Sequence, residues 1–471
     1  MLFNSIEFLV FFIFVYTLYI LFPHRWQNRL LIVSSLIFYA AWSWKFLIVM
    51  IISITTDFFC SRRIDSESNE RKRKLYLGLS LFVNFSILFF FKYFNFFLGN
   101  VSSILNFIHV TETPTNLFVN IILPVGISFY TFEAVSYVVD VYRKEIKPAQ
   151  NYWDYLLFVI YFPHLVAGPI MRGKSFLPQI SFKRRLSWAQ VYEGGHLFLW
   201  GLFEKIFVAD NMGKIVNPIF GNPGPYEGSS TLIALYAFTF QIMCDFDGYS
   251  NMARGLGKCM GFDIAVNFNC PYFATNPKDF WQRWHITLST WLRDYLYIPL
   301  GGSHHGKSLM YRNLLITMVL GGIWHGASWT FVVWGLFHGI ILVIHRWWSD
   351  QKVRSAGELA VPLIVRQIFF FHIVVLGWLI FRAQSVDQIL RMIFGICANF
   401  QLSPYSVSLS LKFLFYVTPV VIVQWWQFKS KDLLVLMKQH WVIRPLFYSL
   451  MVYLIIVWGA NRPETFIYFQ F

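Results

Sequence analysis

Long apolar runs alternate with short polar segments along most of the chain. A helix of about 20 apolar residues crosses a bilayer core of about 30 Å, so each run is long enough to be a span or part of one. The pattern predicts an all-α integral membrane protein with roughly a dozen spans. The main runs are Ile6–Phe22, Leu30–Phe59, Leu75–Leu98, Ile121–Val141, Tyr155–Ile170, His196–Ala209, Leu232–Asp245, Ile364–Phe381, Phe413–Trp426 and Leu446–Trp458.

Two of these runs are predicted to be broken. The run Leu30–Phe59 reaches about 45 Å as a helix, more than one bilayer core requires. Basic residues flank it on both sides, which favours two short helices with a break near Ser43. The run Tyr155–Ile170 contains Pro163 and Pro169 between two basic segments, so we expect a broken or re-entrant segment.

The polar segments predict three further boundaries. Asn211–Ser229 is rich in Gly and Pro and weakly charged, which predicts an outer loop. The run Leu232–Asp245 is expected to end at its last residue and to deliver Asp245–Asn251 to the inner side. Asp279–Tyr295 is expected to form one helix, with an aromatic face and a second face that carries His285 and Arg293.

Composition supports a membrane protein without a separate soluble domain. Of 471 residues, 56% are hydrophobic and only 13% are charged, about half the charged fraction of a soluble chain. We therefore predict a single polytopic membrane domain over residues 1–471, with the first run retained as a span. The net charge of +15 lies in short loops between apolar runs, which indicates topology signals rather than a nucleic-acid interface.

The candidate chemistry lies in residues 279–339. Here histidines, arginines and glycines stand among bulky aromatics, and His325 is flanked by Gly322 and Gly326 near the middle of an apolar hairpin between Arg312 and Arg346. An ionisable residue at such depth is a functional candidate, so we predict that His325 takes a proton from an attacking hydroxyl. The alternative is a core histidine that only joins helices.

Three cations of the same stretch suit a phosphate-bearing donor, since guanidinium and ammonium groups match phosphate oxygens. They are Lys278, Arg283 and Arg293. The alternative is an ordinary amphipathic helix at the membrane surface. His285 is a second candidate, whereas His338 and His164 are expected to be structural. No metal site is predicted, because no HExxH or Cys/His ligand spacing occurs.

Several long motifs together resemble the membrane-bound O-acyltransferase (MBOAT) family. They resemble its bacterial branch of alginate O-acetylation, peptidoglycan O-acetylation and teichoic-acid D-alanylation proteins. The motifs are Leu123–Phe132, Tyr161–Ile170, Phe280–His285, Trp291–Gly302, Gly322–Ala327 and the aromatic end Phe466–Phe471. One departure is an acid at Asp247 and an amide at Asn251, where the branch has a serine and an aspartate, and it leaves the role of Asp247 open.

The resemblance implies a funnel-shaped MBOAT-type fold of about 11 to 13 helices plus re-entrant segments. The chain is long enough for that number of helices. It implies a cytoplasmic acyl thioester donor, acetyl-CoA or a carrier protein, and an acceptor on the outer side. The family's invariant histidine corresponds to His325 and its second histidine to His285. The resemblance also implies an SGNH-type partner protein that completes transfer to a polysaccharide, and a place in a bacterial inner membrane.

Three functions remain as alternatives from the sequence. The first is O-acetylation of an alginate- or peptidoglycan-type polysaccharide from a thioester donor. The second is D-alanyl transfer to teichoic acid from a carrier-protein thioester. The third, from another class, is a transporter in which broken helices form a translocation path, although no paired inverted repeat is visible.

Overall fold

The computed structural model describes residues 1–108, 119, 121–166, 168–304, 306–352, 361–461 and 464–467. Every regular element in these ranges is helical, which confirms the all-α class. Of the motifs quoted above, Ala167 and residues 468–471 lie outside the described residues.

The described residues as far as Cys259 contain eleven α-helices. A π-helical turn at Phe89–Tyr93 joins α3 to α4, and another at Glu204–Ala209 joins α9 to α10. The helices are α1 Ile6–Leu21, α2 His24–Ser66, α3 Glu70–Leu88, α4 Phe94–Phe107, α5 Ile127–Tyr142, α6 Tyr152–Ile160, α7 Phe162–Leu165, α8 Gly173–Ser181, α9 Trp188–Phe203, α10 Asp210–Phe220 and α11 Gly228–Cys259.

The described part of the chain after Cys259 contains eight more. They are α12 Pro277–Trp281, α13 Ile286–Leu292, α14 Lys307–His325, α15 Trp329–Lys352, α16 Leu363–Arg382, α17 Val386–Ala398, α18 Pro404–Ser430 and α19 Ile443–Trp458. In the described residues, six helical stretches are long and apolar enough to cross a membrane: His24–Ser66, Glu70–Phe107, Gly228–Cys259, Trp329–Gln351, Leu363–Arg382 and Pro404–Ser430. Two shorter apolar helices, α1 and α19, add to these.

The two predicted breaks are confirmed. Ser43 leaves the helical region inside α2, with φ −162° and ψ 116°, so the long run is two helices joined at a kink. Tyr161 separates α6 from α7 and leaves the helical region just before Pro163. A proline disfavours helix in the residues ahead of it, because its ring clashes with the preceding turn.

Two predicted boundaries are wrong. The expected loop Asn211–Ser229 is helical as far as Phe220, because α10 buries apolar side chains at helical spacing and tolerates Pro218 near its end. The run expected to end at Asp245 continues as α11 to Cys259. Asp245–Asn251 therefore lies in the middle of a helix, where buried acids have to find partners inside the protein.

The described chain forms two compact units. The first contains Met1–Tyr192 and Leu256–Ala265, and the second contains Glu193–Gly255 and Val266–Phe471. The single domain over residues 1–471 stays a prediction.

In the first unit, α2 packs against α3, α5 and α6. Polar side chains in this packing satisfy one another: Asp57 accepts hydrogen bonds from Ser80 and from Asn84, at 2.5 and 2.9 Å. His164 of α7 contacts the buried Glu133 carboxylate of α5 at 3.2 Å. The structural role of His164 stays a prediction.

In the second unit, α14 and α15 form the predicted hairpin, and α16 packs beside α15. Glycines allow the two hairpin helices to approach closely. A Cβ on Gly322 would overlap the Phe331 carbonyl oxygen, and one on Gly335 would overlap that of Met318. The hairpin carries His325 at the end of its first helix.

We predict that Gly322→Ala lowers the melting temperature of the detergent-solubilised protein. The added methyl group would push the hairpin helices apart, and overpacking of this kind costs about 1–3 kcal/mol. Gly78→Ala is the control, because a Cβ there meets nothing within 4 Å. Equal melting temperatures for both variants would contradict the prediction.

Candidate active site

His325 is the last residue of α14 and is only 3% exposed. Its ring lies against three aromatic rings, with centroid distances of 5.0 Å to Trp324, 4.9 Å to Trp334 and 5.3 Å to Phe381. The next residue, Gly326, is extended, and a Cβ there would overlap the Phe331 ring. The sharp end of the hairpin thus holds one imidazole inside an aromatic enclosure.

His285 lies immediately before α13 and is fully buried. Its backbone is left-handed, with φ 41° and ψ 55°, which is unusual for a residue with a side chain. Its Nδ1 lies 3.0 Å from Asn267 Oδ1, an atom that also accepts from the backbone N–H of Thr287 at 3.3 Å and from its hydroxyl at 2.9 Å. The strained backbone is therefore held by a buried hydrogen-bond network.

This network determines which nitrogen of His285 carries the proton. Because the Thr287 N–H can only donate, the Asn267 atom facing it is the oxygen, and Nδ1–H of His285 must donate to it. Burial lowers the pKa of His285 well below its ordinary value of about 6.5, so the ring is neutral at pH 7. In this tautomer, Nε2 has the lone pair.

The single helix predicted over Asp279–Tyr295 is wrong. The structure has α12 and α13, separated at Gln282–His285, and a π-helical turn at Arg293–Tyr297. The backbone N–H of Ile286 donates to the Asn267 carbonyl and that of Asn269 to the Arg283 carbonyl, both at 2.9 Å. These lateral bonds take groups that a continuous helix would use, so the predicted polar face does not form.

The middle of α11 supports this arrangement. The Phe246 ring packs edge-on against His285 at 4.5 Å, and Ser250 Oγ accepts from Asn267 Nδ2 at 3.3 Å. Trp324 contacts both histidine rings, at 6.1 Å from His285 and 5.0 Å from His325. The structure therefore brings the two predicted histidines to one aromatic cluster, although they are 40 positions apart in the sequence.

Two of the three predicted cations line one cavity. Lys278 and Arg293, with the hydroxyl residues Ser289 and Thr290 and the Trp281 ring, line a cavity of about 350 Å³. Both cations are exposed, and Arg293 also contacts Asp294 at 2.7 Å. Positive charge beside hydroxyl groups suits a phosphate-bearing molecule.

Arg283 lies apart from the lining of this cavity. Its Nε contacts Asp279 at 2.6 Å, its Nη1 donates to the Asn269 carbonyl at 3.2 Å, and its guanidinium lies over the Phe428 ring at 5.5 Å. These contacts hold the segment between α12 and α13. Donor binding by Arg283 stays a prediction.

Two features of the site escaped the sequence reasoning. The first is Asn267. In the sequence it is a single polar residue between Val266 and Phe268, which is a weak signal for a functional role. A buried ion cluster was also missed, in which Lys205 lies 2.7 Å from both Asp210 and Asp245. The sequence signal for this cluster was the lysine within the apolar run His196–Ala209. A buried charge requires a partner, so this lysine indicated that an acid had to lie near it.

The same ion cluster holds part of the aromatic end. Lys205 donates to the Glu464 carbonyl at 3.0 Å, and Asp245 accepts from the Ile467 N–H at 2.7 Å. The Phe466 ring between them is fully buried and lies 5.7 Å from Phe246. Because Phe246 in turn packs on His285, Phe466 supports the position of His285 through Phe246.

No group of three or more His, Cys, Asp or Glu side chains suited to a metal ion occurs within the described ranges. That the chemistry uses no metal stays a prediction.

The fold and site of the described residues define a multi-pass helical membrane protein with two buried histidines and a cavity lined by two cations. The model of the membrane-bound O-acyltransferase family matches residues 84–386. The chain belongs to this family and is therefore an acyltransferase, which confirms the resemblance and disfavours the transporter alternative.

Several proteins that are similar to this chain are named as acyl-transferring enzymes. A probable alginate O-acetylase of Azotobacter vinelandii is 40% identical over 396 residues, covering 83% of this chain and 77% of that one. A peptidoglycan O-acetyltransferase of Helicobacter pylori is 35% identical over 401 residues, covering 80% and 74%. A teichoic acid D-alanyltransferase of Bacillus subtilis is 26% identical over 289 residues, covering 56% and 70%.

We predict that Asn267→Ala destabilises the protein strongly. The change leaves the Nδ1–H of His285 and the N–H of Thr287 buried without their acceptor, at about 1–3 kcal/mol for each. A loss of about 2–6 kcal/mol in the free energy of unfolding is expected in detergent denaturation. Thr287→Val is the control, since it removes one donor and leaves the other bonds, and a larger loss for this variant would refute the prediction.

Proposed function

We propose that the protein is an O-acetyltransferase that passes an acetyl group from a cytoplasmic thioester to a hydroxyl of an extracytoplasmic polysaccharide. Similarity over about four-fifths of the chain to an alginate O-acetylase and a peptidoglycan O-acetyltransferase supports the acetyl group and the polysaccharide acceptor. Membership of the acyltransferase family supports the reaction type.

His325 is the proposed general base. Its imidazole accepts the proton of the acceptor hydroxyl while the hydroxyl oxygen attacks the thioester carbonyl carbon. The new C–O bond forms, the C–S bond breaks, and the proton passes to the leaving thiolate, so the products are an acetyl ester and a free thiol. The aromatic enclosure supports this role, since it excludes water that would hydrolyse the thioester.

His285 is proposed to assist at the same site. The hydrogen bond to Asn267 holds the proton of this imidazole on Nδ1, so the basic nitrogen is Nε2, and Trp324 contacts both rings. A neutral imidazole with a fixed tautomer suits proton transfer over a short path. The contact of Trp324 with both rings supports an indirect role for His285, in which a proton moves through an intervening group.

Acetyl-CoA is the proposed donor. The cavity supports this proposal, because two cations and two hydroxyl residues are among its lining residues and such groups suit phosphate oxygens. Arg283 is proposed to hold the cavity wall through Asp279. We also propose an SGNH-type partner on the outer side and a place in a bacterial inner membrane, in line with the family branch that the motifs resemble.

A second candidate is D-alanyl transfer from a carrier-protein thioester. The teichoic acid D-alanyltransferases that match this chain support it, although they cover only about half of the chain. An assay with the purified protein in liposomes separates the two candidates. The protein is supplied in turn with acetyl-CoA and with a D-alanyl carrier protein, in the presence of alginate or peptidoglycan fragments. The free thiol released from each donor is measured. Release from the carrier protein alone would replace acetyl transfer by the second candidate.

We predict that His325→Ala lowers thiol release from acetyl-CoA by about 10²- to 10⁴-fold, the usual contribution of a general base. His304→Ala is the control, because this histidine is exposed in a turn. His325→Ala should also lower the melting temperature, because it leaves a cavity among aromatic rings, so activity is compared at a temperature at which both variants are folded. Equal turnover by wild type and His325→Ala would refute the proposed role.

We predict that Lys278→Met raises the KM for acetyl-CoA by about two- to fivefold, the size expected for one exposed charge pair, and that Arg293→Met does the same. Salt should raise the wild-type KM more than that of the double variant, because ions screen the contact. Lys307→Met, which breaks an exposed pair with Asp350 outside the cavity lining, is the control. An unchanged KM in the double variant would exclude this cavity as the phosphate site.

A further inference from the structure

The loop between α5 and α6 forms one wall of a cavity in the first unit. This cavity has a volume of about 500 Å³ and is lined by Pro148–Gln150 of the loop and by the end of α2. Sites for small ligands have volumes of about 300–1,000 Å³, so the cavity is large enough to be one. We name it the α2 cavity. Its lining residues on α2 are Phe58, Phe59, Arg62, Arg63, Asp65 and Ser66.

Buried contacts hold the loop wall of the α2 cavity in place. The Ala149 N–H donates to the Tyr137 hydroxyl at 2.8 Å, and this hydroxyl lies 3.2 Å from the Ser61 hydroxyl of α2. All three residues are buried. The loop therefore has a fixed position against the end of α2, and the cavity is preformed, as ligand sites usually are.

The lining of the α2 cavity carries more positive than negative charge. Its acid, Asp65, is already paired with Lys147 at 3.5 Å. Arg62 donates from Nη1 to the Gln150 carbonyl at 3.4 Å, a contact that brings it no negative charge. Neither Arg62 nor Arg63 forms an ion pair within the part of the chain that the structure describes. Two guanidinium groups without a carboxylate suit the oxygens of a phosphate.

An exposed apolar stripe on α2 leads to the same cavity. Ile48, Ile52 and Phe59 recur at i, i+4 and i+11, so they share one face of the helix, and each is more than half exposed. Arg62 and Arg63 follow on this face about one turn after Phe59. Because α2 is long and apolar enough to cross a membrane, the stripe suits lipid chains. Phe59 belongs to both the stripe and the cavity lining, so the two are continuous.

We propose that the α2 cavity binds the phosphate of an anionic phospholipid of the cytoplasmic leaflet. Arg62 and Arg63 contact the phosphate oxygens, and the acyl chains lie along the stripe from Ile48 to Phe59. The positive lining favours a lipid of net negative charge, and the stripe favours a lipid over a soluble phosphate. The basic segment that follows α2 indicates the cytoplasmic side. This inference goes beyond the proposed function, because the site takes neither an acyl donor nor an acceptor.

The test measures ligand binding to the full chain in a neutral detergent by native mass spectrometry. The probes are dioctanoyl phosphatidylglycerol, dioctanoyl phosphatidylcholine and inorganic phosphate. Phosphatidylglycerol should have the lowest dissociation constant of the three. The double variant Arg62→Gln/Arg63→Gln should raise this constant about 30-fold, because each basic residue beside an anionic lipid contributes about fivefold. Binding of phosphatidylcholine should change much less, because its headgroup is neutral overall.

The double variant Arg71→Gln/Lys74→Gln is the matched control. Both residues are exposed and lie in the same basic region of the chain but outside the cavity lining, so the variant loses as many charges without changing the site. It should leave the dissociation constant of phosphatidylglycerol unchanged. Phe59→Ala should raise that constant about fivefold, since the acyl chains lose apolar contact, and leave the binding of inorganic phosphate unchanged.

Three outcomes would overturn the inference. Equal weakening by the two double variants would show attraction to the whole basic region rather than binding in the cavity. Equal dissociation constants for the two lipids, or for phosphatidylglycerol and inorganic phosphate, would remove the anionic lipid as the ligand. A lower melting temperature of Arg62→Gln/Arg63→Gln with unchanged lipid binding would identify a structural role for the two arginines. None of these measurements uses an acyl donor, so failure of the proposed function would leave the inference intact.

Discussion

The arrangement of the site depends on one amide oxygen, Asn267 Oδ1. It accepts hydrogen bonds from His285 and twice from Thr287, in an interior that offers these donors no water. An unsatisfied donor there is costly, so the backbone of His285 stays left-handed to keep all three bonds. The same oxygen holds the proton of the His285 imidazole on Nδ1. One hydrogen-bond acceptor therefore determines both the local backbone and the tautomer on which the proposed proton transfer depends.

The middle of α11 serves three neighbours at once. Asp245 joins the Lys205 ion cluster, while Phe246 and Ser250 support His285 and Asn267. On another side, the Asn251 amide donates to both Asp247 and Glu204, at 3.0 and 3.1 Å. Asp247, whose role the sequence left open, thus belongs to a buried network that ties α11 to the π-helical turn after α9.

Buried polar groups inside the second unit stabilise the fold by pairing with one another. In the Lys205 cluster one ammonium group contacts two carboxylates, those of Asp210 and Asp245. In the Asn267 network one amide oxygen accepts from an imidazole and from the backbone and hydroxyl of Thr287.

The sequence by itself determined the membrane class, most helices, the breaks at Ser43 and Tyr161 and the α14–α15 hairpin. These follow from local properties, namely apolar run length, proline and glycine, which act within a few residues. It also singled out His325 and His285, since an imidazole among apolar residues stands out in any context. Only the tertiary structure decided how the chain around them is bent. The break between α12 and α13 comes from hydrogen bonds to Asn267 and Asn269, and α11 continues past Asp245 because Lys205 neutralises that acid. Such partners are distant in sequence, so no local pattern could reveal them.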